Sequence, residues 1–577
     1  MADLAVWQRT IVDEEGNVVP GAEVEVRREE DDSLATLYAD RAGETPLANP
    51  LAADMSGFVR FFAQGDAYTI TAVGAGSTRT WRFDPTGRLQ EFDRVSEALN
   101  ADGGADIVSA RSNLGTFSTV ADVQNSHIPA VLESIRTFGR NAPGDGPPLN
   151  LVRGLEVPGA VQSADGQWWE DVGYNTITVR IPSDFPSEQA AVDHYSRLPM
   201  RRGARVVILF ESGFEPVTGI SATNGNYSYF VVRSEDPVVN VSDDFVGASA
   251  ETTDGMSTGN FIVGKMAAMP VLDCRVNMKG LGQNGYYAIA SCTGYVTPGS
   301  GVNWAGNYGI LARTSFVFAE KTSWSDAYSV GIRAQHGGVI GAQAATADRC
   351  CKKEGSAAVR ASRGSVIHFI GGKARDSGAR GCLAIRGQIT AEGSDFSGAE
   401  LWGIDVQQKG VVRARDATVN DCLTGGIRVR HGSDLDFMNG ECKRNGGYGL
   451  RAEDASSFNA RGATFEDNTT YNVYAQDASR GSLAGASLTG AGTGVRIEGG
   501  NVSLRGATVR GATTSSLAIY AGGIAHALGA YLRKVEGVDD PDDIRVRSGG
   551  IVFAQNAEGG TNITPNTMTD DGIIWKN

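Results

Sequence analysis

Three pairs of carboxylates lie close together in the C-terminal half of the chain: Glu392 with Asp395, Asp416 with Asp421, and Glu466 with Asp467. Two carboxyl groups held ~5 Å or ~6.5–9.5 Å apart are what hydrolysis of a glycosidic bond requires. None of the three forms a distinctive constellation, and a polar chain offers many such pairs by chance. A site shared between subunits would show only half of itself in one sequence. Elimination chemistry would need a lysine, arginine, histidine or tyrosine base beside a charge neutraliser, and nothing selects one. His431 and Asp454 sit one repeat apart and superficially resemble an acid–base pair. They read as a polar corner bonded to turn backbone, with no serine or cysteine nucleophile implied beside them. The run Asp539-Asp540-Pro541-Asp542-Asp543 carries oxygen ligands suited to a hard cation, although such runs are ordinarily solvated loops. No catalytic residue and no metal set is assigned, and no cofactor is called for.

What must position these residues is a repeat. Apolar anchors recur every 21 to 27 residues at Ile310, Ile332, Val359, Leu383, Ile404, Ile427, Leu450, Val473, Val495, Leu517 and Ile544. A fixed period with β alternation inside each unit marks a solenoid. A second and a third apolar position follow in each unit, seven residues apart, as in Ile389 and Phe396, Phe458 and Phe465, and Val502 and Val509. Each unit is therefore three short strands joined by turns, the pattern of a parallel β-helix. The step is longer than the six residues of left-handed forms, which favours the right-handed one. With strands about 4.8 Å apart, the anchored rungs span on the order of 50 Å. The 75 glycines fit rung corners. Gly331, Gly403, Gly426, Gly449 and Gly494 are expected there in positive φ. No Gly-x-y period exists, which excludes collagen.

A solenoid turns sequence phase into surface columns. The residue after each anchor is expected to point outward: Arg333, Arg360, Ala384, Asp405, Arg428, Arg451, Tyr474, Arg496, Ala518 and Arg545, six of ten being arginine. Two residues further on stand Gln335, Ser362, Arg386, Gln407, Arg430, Glu453, Gln476, Glu498, Tyr520 and Arg547. This face is open to three readings: a solvated sheet, a subunit interface, or a groove for acidic polysaccharide. Two residues before the anchors stand Tyr308, Trp402, Tyr448 and Tyr471. Strict alternation puts them inside as a stack. Trp304 and Trp324 fall in longer turns, where exposure is expected.

The rest of the chain organises around this rod. Residues 1–84 alternate like a small all-β, sandwich-like domain. Residues 85–175 are a helical linker and small module. Phe92, Val95, Ala98 and Leu99 have helical spacing there, as do Ile128, Val131, Leu132 and Ile135. The β-helix is placed at 176–556. A capping helix is expected within Ile181–Leu198, started by Ser183 or Asp184, with Val206–Phe210 as first strand. A C-terminal tail occupies 557–577. The class is mainly β: a right-handed parallel β-helix behind a small β domain and a short helical linker. A net charge of −15 argues against nucleic acid as main partner. No apolar run reaches the ~20 residues that span a bilayer. The N-terminus has neither the basic nor the apolar region of a secretory signal. Seven cysteines lack metal-ligand spacing and are expected as reduced, buried thiols.

Several segments resemble one family. Leu37-Tyr38-x-Asp40, Asn49-Pro50, Asp54-x-x-Gly57, Phe61-Phe62-Ala63 and Tyr68-x-Ile70 look like the N-terminal domain of tailed-bacteriophage tail fibres and tailspikes. Gly144-Asp145-Gly146 through Trp168-Trp169-Glu170 resembles a module that precedes the β-helix in such proteins, with Pro147-Pro148 replacing the usual glycine and aromatic. Asn562, Asn566-Thr567 and Gly572-Ile573-Ile574 resemble a tail-fibre ending. The resemblance implies a virion protein assembled in the host cytoplasm. It implies a parallel homotrimer anchored to a tail, baseplate or capsid protein through its N-terminal domain. It also implies a bacterial surface polysaccharide as ligand. On that basis Arg333, Arg360, Arg428, Arg451, Arg496, Trp304 and Trp324 are the glycan-contact candidates. A polysaccharide depolymerase, a capsid-decorating head spike and a purely structural fibre remain alternatives. A bacterial adhesin is weakened by the missing signal.

Overall fold

The structure, a computed structural model, describes residues 4–575 except 14–15, 65–66, 84–114, 143–148, 157–159, 172–175, 199–202, 253–254, 353–354, 535–542, 560–567 and 570–571. It contains two compact units, Met1–Asp171 and Val172–Asn577.

The first unit opens with antiparallel strands. Among the described residues, two four-stranded sheets are present. They share a core of Trp7, Val24, Val26, Phe61 and Ile70. In Glu23–Arg28 the valines turn inward and the charged residues outward, as period-two alternation dictates. The Asn49 and Asp54 motifs have structural jobs here. The Asn49 side chain donates to the carbonyls of Val26 and Ala35 at 2.7 and 2.8 Å and accepts from the Val26 amide at 3.0 Å. Asp54 accepts from the amides of Ser56 and Phe58, closing the turn at Gly57. Gly57 has φ +70°, and a Cβ there would lie 3.0 Å from the Ile11 carbonyl.

The remainder of this unit is a five-stranded sheet around Trp169. Helical spacing at Ile128, Val131, Leu132 and Ile135 misleads. Ile135 lies in the strand Ser134–Thr137, paired antiparallel with Asn150–Gly154. Pro129 disfavours helix at the preceding residue, and Ile135 and Thr137 bury alternately. The short helix Val120–Gln124, closed by a Thr119 capping box, is what forms instead. The positions Phe92 to Leu99 and the Gly144-Asp145-Gly146 segment lie outside the described residues, as do Asp539 to Asp542 and Asn562 to Thr567.

The second unit is the right-handed parallel β-helix. Strand Thr176–Ile181 precedes Arg205–Phe210 and pairs with it in parallel, so the latter is second in order. Between them the helix Glu188–Tyr195 starts at Ser187, whose hydroxyl accepts from the Ala190 amide. Ser183 and Asp184 do not cap it. Ser183 donates to Glu211, and Asp184 accepts from the Arg180 amide. The helix buries Ala191, Val192 and Tyr195. Among the described residues, three long parallel ladders then run through the rungs, of fifteen, thirteen and six strands, beside shorter ones of four and three near the start, and Ala248–Thr252 adds an antiparallel strand to the longest. They continue past residue 556: Glu558–Gly559, Met568–Thr569 and Ile573–Trp575 each add a strand.

The long ladder fixes the phase of the inward column. It stacks Ile220, Ile262, Tyr286, Ile310, Ile332, Val359, Cys382, Ile404 and Ile427 in register. The anchor in the fourth anchored rung is thus Cys382, and Leu383 takes the outward place given to Ala384. The corner glycines also differ from expectation. Gly331, Gly403, Gly426, Gly449 and Gly494 are not in positive φ; their missing Cβ would strike the interior. At Gly403 it would lie 2.2 Å from Val419 Cγ1, and at Gly426 2.3 Å from Cys442 Sγ. Left-handed backbone falls instead on His336, Arg363, Gln408, His431, Asp454 and Asp477. All seven cysteines are free and buried.

Candidate functional site

Because each corner glycine and the anchor after it both face inward, alternation skips a step there. The register shows the skip: Tyr308 pairs with Val330 and Ile310 with Ile332, with no pairing between Gly309 and Gly331. The residue before the glycine therefore lies on the same side as the residue after the anchor. Tyr308, Trp402, Tyr448 and Tyr471 consequently join the arginine column instead of forming an internal stack. Arg333 lies over Tyr308 at 4.5 Å, Arg428 over Trp402 at 5.1 Å, Arg451 over Tyr448 at 5.3 Å and Arg496 over Tyr471 at 5.5 Å.

The downstream part of this face is charge-compensated. Asp405 is fully buried, 2.8 Å from Arg380 and 2.7 Å from Arg428. Arg451 meets Glu453 at 2.7 Å. Arg496 Nε donates to Glu498 at 2.8 Å, and another guanidinium nitrogen donates to the Tyr471 hydroxyl at 2.7 Å. The Tyr474 hydroxyl donates to the other Glu498 oxygen. Burial, reinforced by Glu498, pushes the Tyr474 phenol well above its ordinary range. Burial works against the Glu498 charge, but the bonds from Tyr474 and Arg496 hold its carboxyl below the usual value.

The upstream part is a groove of about 780 Å³. Its floor is Tyr287, Leu311, Arg333 and Arg360, successive partners in the ladder or its neighbours. The strands Ala248–Thr252 and Gly255–Lys265 form an antiparallel hairpin whose Ala248 and Ala250 pack on Tyr287 and Leu311. Ser257 and Thr258 of that hairpin line the groove. Arg313, Arg363 and Arg386 also line it, and among the described residues no carboxylate does. Neither Arg333 nor Arg360 forms an ion pair among the described residues, and both Nε atoms are buried without a hydrogen-bond partner. Burial, and secondarily the Arg333 charge, pulls the Arg360 guanidinium below its ordinary pKa.

The candidates therefore divide. Arg333 and Arg360 line the groove. Arg428, Arg451 and Arg496 are committed to carboxylates. Trp304 is half-exposed, with Lys352 Nζ 4.7 Å from its ring centre. Trp324 is not a surface residue: it is fully buried, and its indole donates to Thr322 at 2.6 Å. A Cβ on Gly309 would lie 3.1 Å from Trp324 Cβ, and one on Gly331 2.8 Å from the Trp324 carbonyl. The carboxylate pairs do not converge. Asp421 is held by Arg444 at 2.8 Å, Glu466 by Lys443 at 3.5 Å, and Asp395 accepts from the Ser397 amide. His431 and Asp454 meet at 3.3 Å on exposed left-handed corners. Among the described residues no cluster of three or more acidic, histidine or cysteine side chains is placed to hold a metal.

These features define a β-solenoid with one built outward face. The model of the right-handed beta helix region matches residues 354–526. No curated protein matches the chain. Among solved structures it is similar to full-length tailspike protein 2 from Escherichia coli O157:H7 bacteriophage CAB120, with 12% identity and a TM-score of 0.31 over 81% of this chain and 60% of that one. It is also similar to the A-module of an Azotobacter vinelandii mannuronan C-5 epimerase, with 10% identity and a TM-score of 0.27 over 67% and 94%. A third is a Pantoea stewartii glycan biofilm-modifying enzyme with a tailspike-like parallel β-helix, with 11% identity and a TM-score of 0.25 over 73% and 59%. The chain thus spans about 60% of the length of the first of these. Likeness at this level bears on neither ligand nor partner.

Proposed function

We propose that the chain is a tail fibre or tailspike of a tailed bacteriophage that binds a bacterial surface glycan. The observation that carries this reading is the outward face of the long ladder, where arginines and aromatic rings alternate beside an open groove on a rigid rod. Aromatic faces and fixed polar groups are how proteins hold sugars without large conformational cost. The N-terminal β unit, whose Asn49, Asp54 and Gly57 motifs carry the family resemblance, would attach the protein to the particle. A homotrimer would supply avidity for weak sugar contacts. The test is adsorption: purified protein should compete with phage for host cells, and light scattering should give a trimer. A monomer at native concentration, or failure to bind envelope polysaccharide, overturns the reading.

One observation favours a second reading, a polysaccharide depolymerase. Tyr474, Glu498 and Arg496 bring a protonated phenol, a carboxylate and a cation together on the same face. Incubation with host capsule or lipopolysaccharide decides it: new reducing ends or unsaturated sugars mean an enzyme, and their absence means a binding protein.

A further inference from the structure

We infer that the groove floored by Arg333 and Arg360 takes an acidic glycan, with one oxyanion of the ligand held between these two guanidiniums. The inference rests on the glycan-binding reading above and adds the ligand's charge and the residues that demand it.

Arg333 and Arg360 are direct partners in the parallel ladder, so their backbones are about 4.8 Å apart. A planar guanidinium presents a fork of donors that matches carboxylate or phosphate oxygens. Two forks one rung apart can close on a single oxyanion from both sides. Among the described residues no carboxylate does so. Each Nε is buried without an acceptor, as is that of Arg451, so what distinguishes Arg333 and Arg360 is that no described carboxylate pairs with their guanidiniums, whereas Glu453 pairs with Arg451. A chain of net charge −15 has abundant carboxylates, yet the described residues of the groove lining include none. The positions that carry Glu453 and Glu498 downstream carry Gln335 and Ser362 here, and both line the groove. Arg313, Arg363 and Arg386 extend the positive surface along its edge, which suits a polymer with repeated charges. Burial first, and then the neighbouring Arg333 charge, lowers the Arg360 pKa. Tyr287 and Tyr308 lie in the lining beside the arginines, and Arg333 rests on the Tyr308 ring at 4.5 Å. An oligonucleotide carries the same sign of charge as an acidic glycan, so the glycan-binding reading above selects the glycan and the oligonucleotide is an arm of the test.

The experiment uses the full chain on an array of bacterial surface polysaccharides. Each acidic member is paired with its carboxyl-reduced or dephosphorylated form, and a single-stranded oligonucleotide is included. The expected result is binding to an acidic member that weakens about tenfold or more on removal of its charge, and equally in Arg333→Gln and Arg360→Gln. The control Arg415→Gln loses a cation paired with Asp436 outside the groove and should bind as the parent does. Circular dichroism of each variant should match the parent, with melting above the assay temperature, which separates lost binding from lost fold. Which chemical treatment abolishes binding tells carboxylate from phosphate. Binding that survives charge removal, or survives both arginine variants, overturns the inference while leaving the glycan reading intact. Equal binding of the oligonucleotide overturns it in favour of a non-selective polyanion surface. Binding to no polysaccharide overturns both.

Discussion

The upstream groove and the downstream ladder occupy the same sheet face, the same phase of the repeat and the same residue types, yet Arg333 and Arg360 in one meet no described carboxylate while Arg428, Arg451 and Arg496 in the other are ion-paired. Arg333 and Arg451 both follow an inward anchor and both lie over a tyrosine. What separates them is the residue two further along the strand, Gln335 in one case and Glu453 in the other. Side chains at i and i+2 share a face, so Glu453 reaches Arg451 at 2.7 Å, as Glu498 reaches Arg496. Gln335 has no charge to offer. The lesson is that in a solenoid one substitution per rung decides whether an arginine is scaffold or binding group. Removing charge from the two regions should therefore have opposite consequences.

The largest effect is expected at Asp405. It is fully buried between Arg380 and Arg428, whose side chains are 13% and 16% exposed. Asp405→Asn leaves these cations without a counter-charge and should lower stability by about 3–5 kcal/mol. Arg333→Gln upstream breaks no ion pair among the described residues and loses the contact with the Tyr308 ring, so it should cost about 1 kcal/mol. Midpoints of guanidinium unfolding compare the two. Equal losses would mean that both regions are scaffold.

A reciprocal exchange comes next in size. Gln335→Glu gives Arg333 the partner that Arg451 has and should weaken binding of an acidic polysaccharide about tenfold. Glu453→Gln does the reverse: it should cost about 1–3 kcal/mol of stability and create new affinity for acidic polysaccharide downstream. Calorimetric titration of both variants reads the outcome. If Gln335→Glu binds as tightly as the parent, the identity of that residue does not decide the difference.

How far this was legible beforehand depends on what alternation can carry. The period, the three strands per rung and the arginine column follow from spacing alone. The phase of one rung does not: Cys382-Leu383-Ala384-Ile385 is apolar at every position, so either phase buries something, and only stacking on Val359 and Ile404 selects Cys382. The aromatic column was misplaced because alternation assumes a straight strand. The inward corner glycine skips a step, as at Gly309, and no hydrophobicity pattern reports it. Trp324 was misplaced as well, since the close approach of Gly309 and Gly331 to it is not written in hydrophobicity. The groove was least legible of all. Its hairpin wall, Ala248–Lys265, lies upstream of the clear repeat, and the absence of carboxylates from its described lining is a property of several rungs together.

The smallest effect separates the regions by pH. Glu498 has a folded pKa below its ordinary value of 4.5. Its contribution is therefore present above about pH 4.5 and is lost as pH falls through the lower folded value. Tyr474 has the opposite sign: its folded pKa is raised above the ordinary 10.0, so its contribution is full below about pH 10 and fades as pH rises through the folded value. The downstream ladder thus has a stability plateau bounded on both sides. Because Arg496 and Glu498 are roughly a third exposed, solvent screening limits each edge to about 1 kcal/mol or less. The described groove lining has no carboxylate to lose. Acid should then weaken binding only by protonating the ligand. Hydrogen exchange of the 471–498 amides between pH 3 and 7 should show protection falling below about pH 4.5, with the 333–363 amides lagging behind. If both segments lose protection together, the two regions are one cooperative unit and the downstream ladder is not separately held by its ion pairs.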